Sequence, residues 1–234
     1  MNKVKYSIIF LFLIFSYVLP LGGINVGGGF FQSSTSISDT ESNFIFEGTS
    51  SESPALSGMI AIYYDLLPMD LSAEISFEAT LQQLESTISF DGTQLANEAM
   101  YSTKQATYFT IKKQMLGVSI PFLAKAGISL GAGYNTHSSI LPSIALLKDL
   151  FNQNDLTQLF TDLENSGENI FDNLNDLDLA DYSQDANGFH IQAGLEGRLL
   201  VFNMILNARY TFVELPSSDD SGFLSLNMML GYGI

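Results

Sequence analysis

His137 and Ser139 stand one residue apart, and Asp149 follows in the same stretch of chain. In an extended segment, residues two apart point to one face. That spacing sets an imidazole beside a hydroxyl, as the base and nucleophile of acyl transfer require. The carboxylate that would orient the imidazole has to be Asp149. A second grouping is Asp176-x-Asp178, within the acidic run Asp172–Asp185. It has one interval of a calcium loop, but Ala180 occupies the next ligand position and no glycine follows. A solvated helical face fits that run better, with a calcium site of another kind as the alternative. A third set is Glu74, Glu78, His190, Gln192, Glu196, Arg198, Asn207 and Arg209, whose neighbours in sequence are largely apolar. Gathered in one interior, these groups would form either an ion or solute path or a packed, paired polar plug.

Cysteine is absent, which excludes thiol nucleophiles, thiolate metal sites and disulfides. No phosphate loop, zinc spacing or dinucleotide fingerprint is present, and no cofactor is expected. The formal charge of −16 argues against a nucleic-acid partner.

The elements that carry these residues read as strands. Ala73, Ile75, Phe77 and Ala79 alternate with Ser72, Glu74, Ser76, Glu78 and Thr80. The same period of two runs through 126–135, 189–201, 203–212 and 224–234. Gly23–Phe31, Gly58–Leu66 and Thr110–Leu123 complete eight strands, with Pro121 marking a strand end. The links between them alternate in length. Those at 32–57, 81–109 and 136–187 are long, and those at 67–70, 124–125 and 202–203 are short. Short turns on one side and long loops on the other are the signature of a membrane barrel. A soluble two-sheet sandwich gives no reason for that alternation.

Segment 139–187 departs from the pattern. Ile144, Leu147, Leu150 and Phe151 recur at helical spacing, as do Leu156, Leu159, Phe160 and Leu163, then Ile170, Leu174 and Leu177. It holds ten of the 25 acidic residues and only Lys148 as a base. It reads as an acidic helical insert in an extracellular loop. The 32–57 link, rich in Ser, Thr and acidic residues, reads as a mobile outer loop. Residues 1–23 read as a signal peptide, with Lys3 and Lys5 before the apolar core Ser7–Leu19 and with Gly22 and Gly23 near the cleavage point. The mature barrel would be 24–234.

Composition agrees. Hydrophobic residues make up 46% and charged residues 15%, yet mean hydropathy is only +0.20, too low for a bundle of apolar helices. Alternating strands, with only every second residue facing lipid, produce that value.

The segments Ile62-Tyr63-Tyr64-Asp65-Leu66-Leu67-Pro68-Met69-Asp70-Leu71-Ser72-Ala73-Glu74 and Gly194-Leu195-Glu196-Gly197-Arg198-Leu199-Leu200-Val201-Phe202-Asn203 resemble hairpins of small outer-membrane barrels of the OmpW/OmpX type. Ser119-Ile120-Pro121-Phe122, followed by Gly131-Ala132-Gly133-Tyr134, is similar to a recurrent pair in such barrels. The last strand is similar to their assembly signal at Asn227 and Tyr232, but Met229 stands where glycine is usual and Ile234 where phenylalanine is usual. His137-x-Ser139 resembles the pair of barrel lipid A deacylases, without the surrounding pattern.

The resemblance and the pattern together lead to an all-β expectation: an eight-stranded antiparallel transmembrane barrel of the bacterial outer membrane with a short helical insert. The expected function is non-enzymatic, a structural or surface-interaction role through the outer loops. The alternatives are a narrow channel for small or hydrophobic solutes and a lipid hydrolase using His137 and Ser139. Expected partners are outer-membrane lipid and lipopolysaccharide, with the barrel-assembly machinery engaging the C-terminal strand.

Overall fold

The protein's structure, a computed structural model, describes residues 22–50, 54–66, 70–120, 123–150, 179–215, 217–218 and 220–233. Within them ten antiparallel strands form one sheet. They are β1 (Gly22–Gln32), β2 (Ser36–Glu41), β3 (Phe44–Ser50), β4 (Ala55–Leu66) and β5 (Leu71–Phe90), then β6 (Thr93–Ile120), β7 (Ala124–Ile140), β8 (Ser183–Leu199), β9 (Phe202–Phe212) and β10 (Gly222–Gly233). Eight of the ten close into a ring in the order β5-β4-β1-β10-β9-β8-β7-β6, with β6 returning to β5. The seam is made by the first and last strands, paired from Gly23↔Gly233 to Gln32↔Leu224.

The alternation read from sequence sets the two faces, and its sense is inverted relative to a soluble protein. Along β9, Asn203, Ile205, Asn207, Arg209 and Thr211 are buried, while Phe202, Met204, Leu206, Ala208, Tyr210 and Phe212 are exposed. The same holds on β5, where Glu74, Ser76, Glu78 and Thr80 point in, and Ile75 and Phe77 point out. An interior this narrow is filled by side chains. Space is therefore made with glycine opposite the larger groups. A Cβ on Gly133 would lie 1.8 Å from the Phe109 carbonyl oxygen and 2.8 Å from the His190 ring.

Two sequence expectations change. The 81–109 link is not a loop. β5 and β6 run on as one hairpin, joined by Asp91-Gly92, whose φ values of 50° and 77° are those of the two-residue turn that Asp-Gly favours. The alternation persists there, but its apolar positions, among them Leu84 and Ile88, turn to the covered face instead of the outer one. The 32–57 link holds the β2–β3 hairpin, so it is ordered by pairing. β4 leaves β5 at Leu56↔Leu81, and β3 takes over the same edge from Ser50↔Leu84 to Phe44↔Phe90. Gly22 and Gly23, near the expected cleavage point, belong to β1 and pair with Tyr64 and Tyr63 of β4.

The insert begins later and ends earlier than expected, because β7 continues to Ile140 and β8 starts at Ser183. Between them stand helix α1 (Ile144–Leu150) and a single 3₁₀ turn at Leu179–Tyr182. The expected helices over 156–177, the leader to Leu21, Pro121, Phe122 and Ile234 lie outside the described residues. Helix α1 is capped by Ser143, whose hydroxyl accepts the Leu146 N–H at 3.1 Å. Asp39 of β2 accepts the Ile144 N–H at 2.8 Å. The helix packs Ile144 and Leu147 on Phe44, Phe46 and Ile88, and Lys148 in its last turn pairs with Glu41.

Gly133→Ala is expected to lower stability by about 1–3 kcal/mol, the usual cost of overpacking. Gly58→Ala, where the added methyl meets nothing within 4 Å, is expected to be neutral within about 0.5 kcal/mol. The midpoints of chemical unfolding check both, and equal midpoints for the two variants would refute the steric account.

Candidate functional site

The barrel interior gathers most of the polar residues singled out above. At its centre lies Arg209 of β9, which is fully buried. Its Nη1 donates to Glu78 Oε2 at 3.3 Å and its Nε to Gln192 Oε1 at 3.2 Å. Its guanidinium carbon sits 3.8 Å from the Tyr108 ring centroid, a planar cation stacked on an aromatic face. Asn207, two residues back on the same face, also donates to Gln192 Oε1 at 3.0 Å.

A second ion cluster lies on β5, β6 and β8. Lys112 Nζ donates to Glu74 Oε2 at 2.8 Å and to Glu196 Oε1 at 3.2 Å. Ser129 adds a hydrogen bond to Glu196 at 2.8 Å. Of the two arginines singled out in the sequence, only Arg209 is paired with a carboxylate among the described residues. Lys112 replaces Arg198, whose Nε donates to the Leu200 carbonyl at 3.0 Å at the rim.

Lys112 went unread for a structural reason. The pairing of β6 with β7 slips between Gln114 and Leu116. A bulge of this kind adds one residue and reverses the facing of the strand beyond it. Phasing the strand from Leu116 and Val118 therefore places Lys112 on the wrong side. The alternation of Phe109 and Ile111 with Tyr108, Thr110 and Lys112, on the other side of the bulge, carries the right phase.

His190 forms a short chain with its neighbours. Its Nε2 lies 2.9 Å from Thr110 Oγ1, and its Nδ1 lies 3.4 Å from Asn135 Nδ2. Asn135 Oδ1 in turn lies 3.0 Å from His137 Nε2. Both imidazoles meet the Tyr108 ring edge-on, at 5.2 and 5.6 Å. His137 and Ser139 do share one face, but it is the buried interior. Among the described residues no hydrogen bond joins them, and Asp149 instead accepts the Tyr182 hydroxyl. The interior is shut above His137 by Phe31 and Phe223, stacked edge to face at 4.3 Å, with Ala55, Ala186, Val213 and Leu215. Lys104 lies under this seal, 5.2 Å from the Phe31 ring, and donates to Thr35 at 2.8 Å. A deacylation site needs an approach for its lipid, and His137 and Ser139 are only 6% and 2% exposed.

Over the seal, the 213–221 connection is tied down at Asp220. Its carboxylate accepts the Ser34 hydroxyl at 2.5 Å and the Ser34 N–H at 3.3 Å. Those two bonds hold the Asp220 carboxyl below its ordinary value of 3.8. At the opposite end a cavity of about 50 Å³ opens between Tyr63, Asp65, Lys125, Glu196 and Arg198. It has room for a few waters and stops at the Lys112 cluster. The described residues contain no group of three or more side chains that could hold a metal, and Asp176 and Asp178 lie outside them.

No family model matches the chain, and no curated protein matches it significantly. Among solved structures it is similar to the attachment invasion locus protein Ail of Yersinia pestis, solved with the heparin analogue sucrose octasulfate. That pair shares 12% identity, 91% of this chain, 97% of the other and a TM-score of 0.42. It is also similar to the outer membrane protein OprG of Pseudomonas aeruginosa, at 10% identity, 92% and 96% coverage and a TM-score of 0.45.

Arg209→Met strands Glu78 in the interior and is expected to cost about 3–5 kcal/mol of stability. Adding Glu78→Gln to that variant should recover a large part of the loss. A double variant no better than the single one, by chemical unfolding, would show that the pair is not what couples them.

Proposed function

We propose that the protein is a non-enzymatic bacterial outer-membrane barrel with a structural and surface-interaction role, exercised through the strands and loops at its far end. The outward belt is the observation that carries this reading. Every strand of the ring turns large apolar side chains outward, among them Val26, Ile60, Phe77, Ile111, Leu130, Leu195, Leu206 and Leu226, all 40–60% exposed. Soluble monomers rarely expose more than a few hundred Å² of contiguous apolar surface. On β10 the outward set Leu224, Leu226, Met228, Leu230 and Tyr232 spans about 25 Å, the height of an outer-membrane apolar band.

Aromatic residues cluster at both rims of this belt. Tyr64, Phe202 and Tyr232 lie at the near rim, where the chain turns are short, and Phe30, Phe189 and Phe212 lie at the far one. Such girdles sit at lipid interfaces. The short turns and both ends of the ring's chain would face the periplasm. β2, β3, α1 and the β5–β6 hairpin would stand outside the cell. Lipid and lipopolysaccharide would surround the belt, and the assembly machinery would receive β10.

The interior supports an interaction role over transport. Its carboxylates are paired with cations across the lumen, and Phe31 and Phe223 pack edge to face at the far mouth. The projecting hairpin is the larger investment of chain. β6 has 28 residues, against 11 in β9, and the surplus serves no purpose in the ring.

Two measurements test the reading. The protein is expected in the outer-membrane fraction, with a band that shifts on gels when the sample is boiled. Recovery in the soluble periplasm with no shift would defeat the membrane assignment. Refolded in a planar bilayer it is expected to give no reproducible current, and steady ohmic conductance would favour the channel instead.

A further inference from the structure

Lys113 of β6 is exposed and follows Phe109 and Ile111 on the outward face. Among the described residues it is the one charged side chain on that face between the two aromatic rims. A cation facing lipid is costly at mid-membrane and tolerated at an interface, so its level decides its role. Tyr64, at the near rim, shares a row with Ala73 and Ile111. Lys113 lies two residues beyond Ile111, towards that rim, and directly across from Leu71, where β5 leaves its turn. The same turn closes on β6, with the Asp70 carbonyl accepting the Gln114 N–H at 3.0 Å. Asp70 is exposed there, with a φ of 54°. A cation and a carboxylate thus stand beside each other at the near rim. Among the described residues neither forms an ion pair, with the other or with a third group. Leu67, Pro68 and Met69 of the turn carry no charge.

An apolar groove leads away from this pair. Across the strands Lys113 is in register with Leu130, Leu130 with Ala193, Ala193 with Ala208 and Ala208 with Leu226. Leu226 pairs in turn with Phe30 at the far rim. The row therefore climbs through the belt from one rim towards the other. Ala193 and Ala208 line a groove of about 850 Å³ on the outer wall, bordered by Leu195, Leu206, Leu226 and Met228. From Lys113 to Leu226 the row covers four strand spacings, about 19 Å. The wall thus offers a cation for a phosphate, a carboxylate for an ammonium, and an apolar track for an acyl chain.

We propose that Lys113, Asp70 and this groove hold one glycerophospholipid of the leaflet at the near rim. Its phosphate lies on the Lys113 ammonium, a primary ammonium of its headgroup on Asp70, and one acyl chain along Ala193 and Ala208. The inference rests on the outer-membrane reading above and gives one lipid a fixed place on the barrel. Lysine offers a phosphate three donors and a compact charge. Asp70 repels a purely anionic headgroup, and a quaternary ammonium has no N–H to donate to it. The rim is the one opposite the projecting strands, so lipopolysaccharide, on the outer side of the membrane, does not reach it.

The test uses the full chain refolded in detergent micelles, with phosphatidylethanolamine added and the retained lipid counted by native mass spectrometry. One retained lipid per chain is expected, with phosphatidylcholine and phosphatidylglycerol each held about twofold to fivefold more weakly. Lys113→Gln is expected to weaken retention about fivefold, and Lys113→Arg to restore most of it. Asp70→Asn is expected to remove the preference for the ethanolamine lipid over the choline lipid. Ala193→Leu combined with Ala208→Leu fills the groove and touches neither charge. It is expected to weaken retention about fourfold or more, the equivalent of one buried methylene. Unchanged retention in Lys113→Gln would overturn the proposal. So would equal retention of the three lipids, a preference for lipopolysaccharide, or equal binding of water-soluble glycerophosphoethanolamine, which has the headgroup without the chains. A boiled-versus-unboiled gel of each variant reports the barrel separately. Absence of the shift in the unaltered chain would fault the membrane reading, not this one. If the double alanine variant fails that gel, Lys113→Gln and the order of lipid preference decide.

Discussion

Closure of the hydrogen-bonded ring is the constraint from which the other features follow. Once β1 pairs with both β10 and β4, and β6 returns to β5, no strand of the ring has an open edge within it. Backbone polarity is then satisfied without water, and side chains must choose between two faces only. Eight strands leave an interior narrow enough for side chains to fill but too polar to be an oil core. The outer face, free of backbone demands, can be apolar throughout.

The polar interior has to neutralise itself because nothing else can. Glu74, Glu78 and Glu196 face Lys112 and Arg209 across the lumen, and each cation sits between acceptors contributed by different strands. Such pairs add little net stability over a hydrophobic filling, since desolvation offsets most of the attraction. Their effect is selective. A slip of one residue in any strand would send its charges to the apolar face and leave the partners stranded. The interior network and the outer belt are therefore two expressions of one register.

At the far end the same sheet does something different. The edge of β5 is shared, first by β4 and then by β3, so the sheet leaves the ring without a break in hydrogen bonding. Beyond that junction its covered face turns apolar, with Phe46 and Ile88 under helix α1. Ser and Thr at alternate positions of β5 fit both settings, lining the lumen below and the sheet above. The charge balance changes with the setting as well. The projecting strands 36–50 and 82–102 carry only carboxylates, one of which, Glu41, pairs with Lys148 of α1.

Much of the ring was legible in the sequence, because a period of two survives in any strand with one polar and one apolar side. Glu74 and Glu78 against Ile75 and Phe77, or Asn207 and Arg209 against Leu206 and Ala208, fix face and phase locally. The number of ring strands and the alternation of short and long connections followed from the same pattern. The tertiary structure decided what depends on partners distant in the chain. It paired Lys112 with Glu74 and Glu196 through a bulge that reverses the phase of β6. It extended β5 and β6 into a projecting sheet and set the helix read at Ile144 and Leu147 over Ile88, a contact between segments far apart in the chain. It also placed His137 and Ser139 in a sealed interior, since the orientation of a strand face, in or out, is set by ring closure and not by the spacing of two residues.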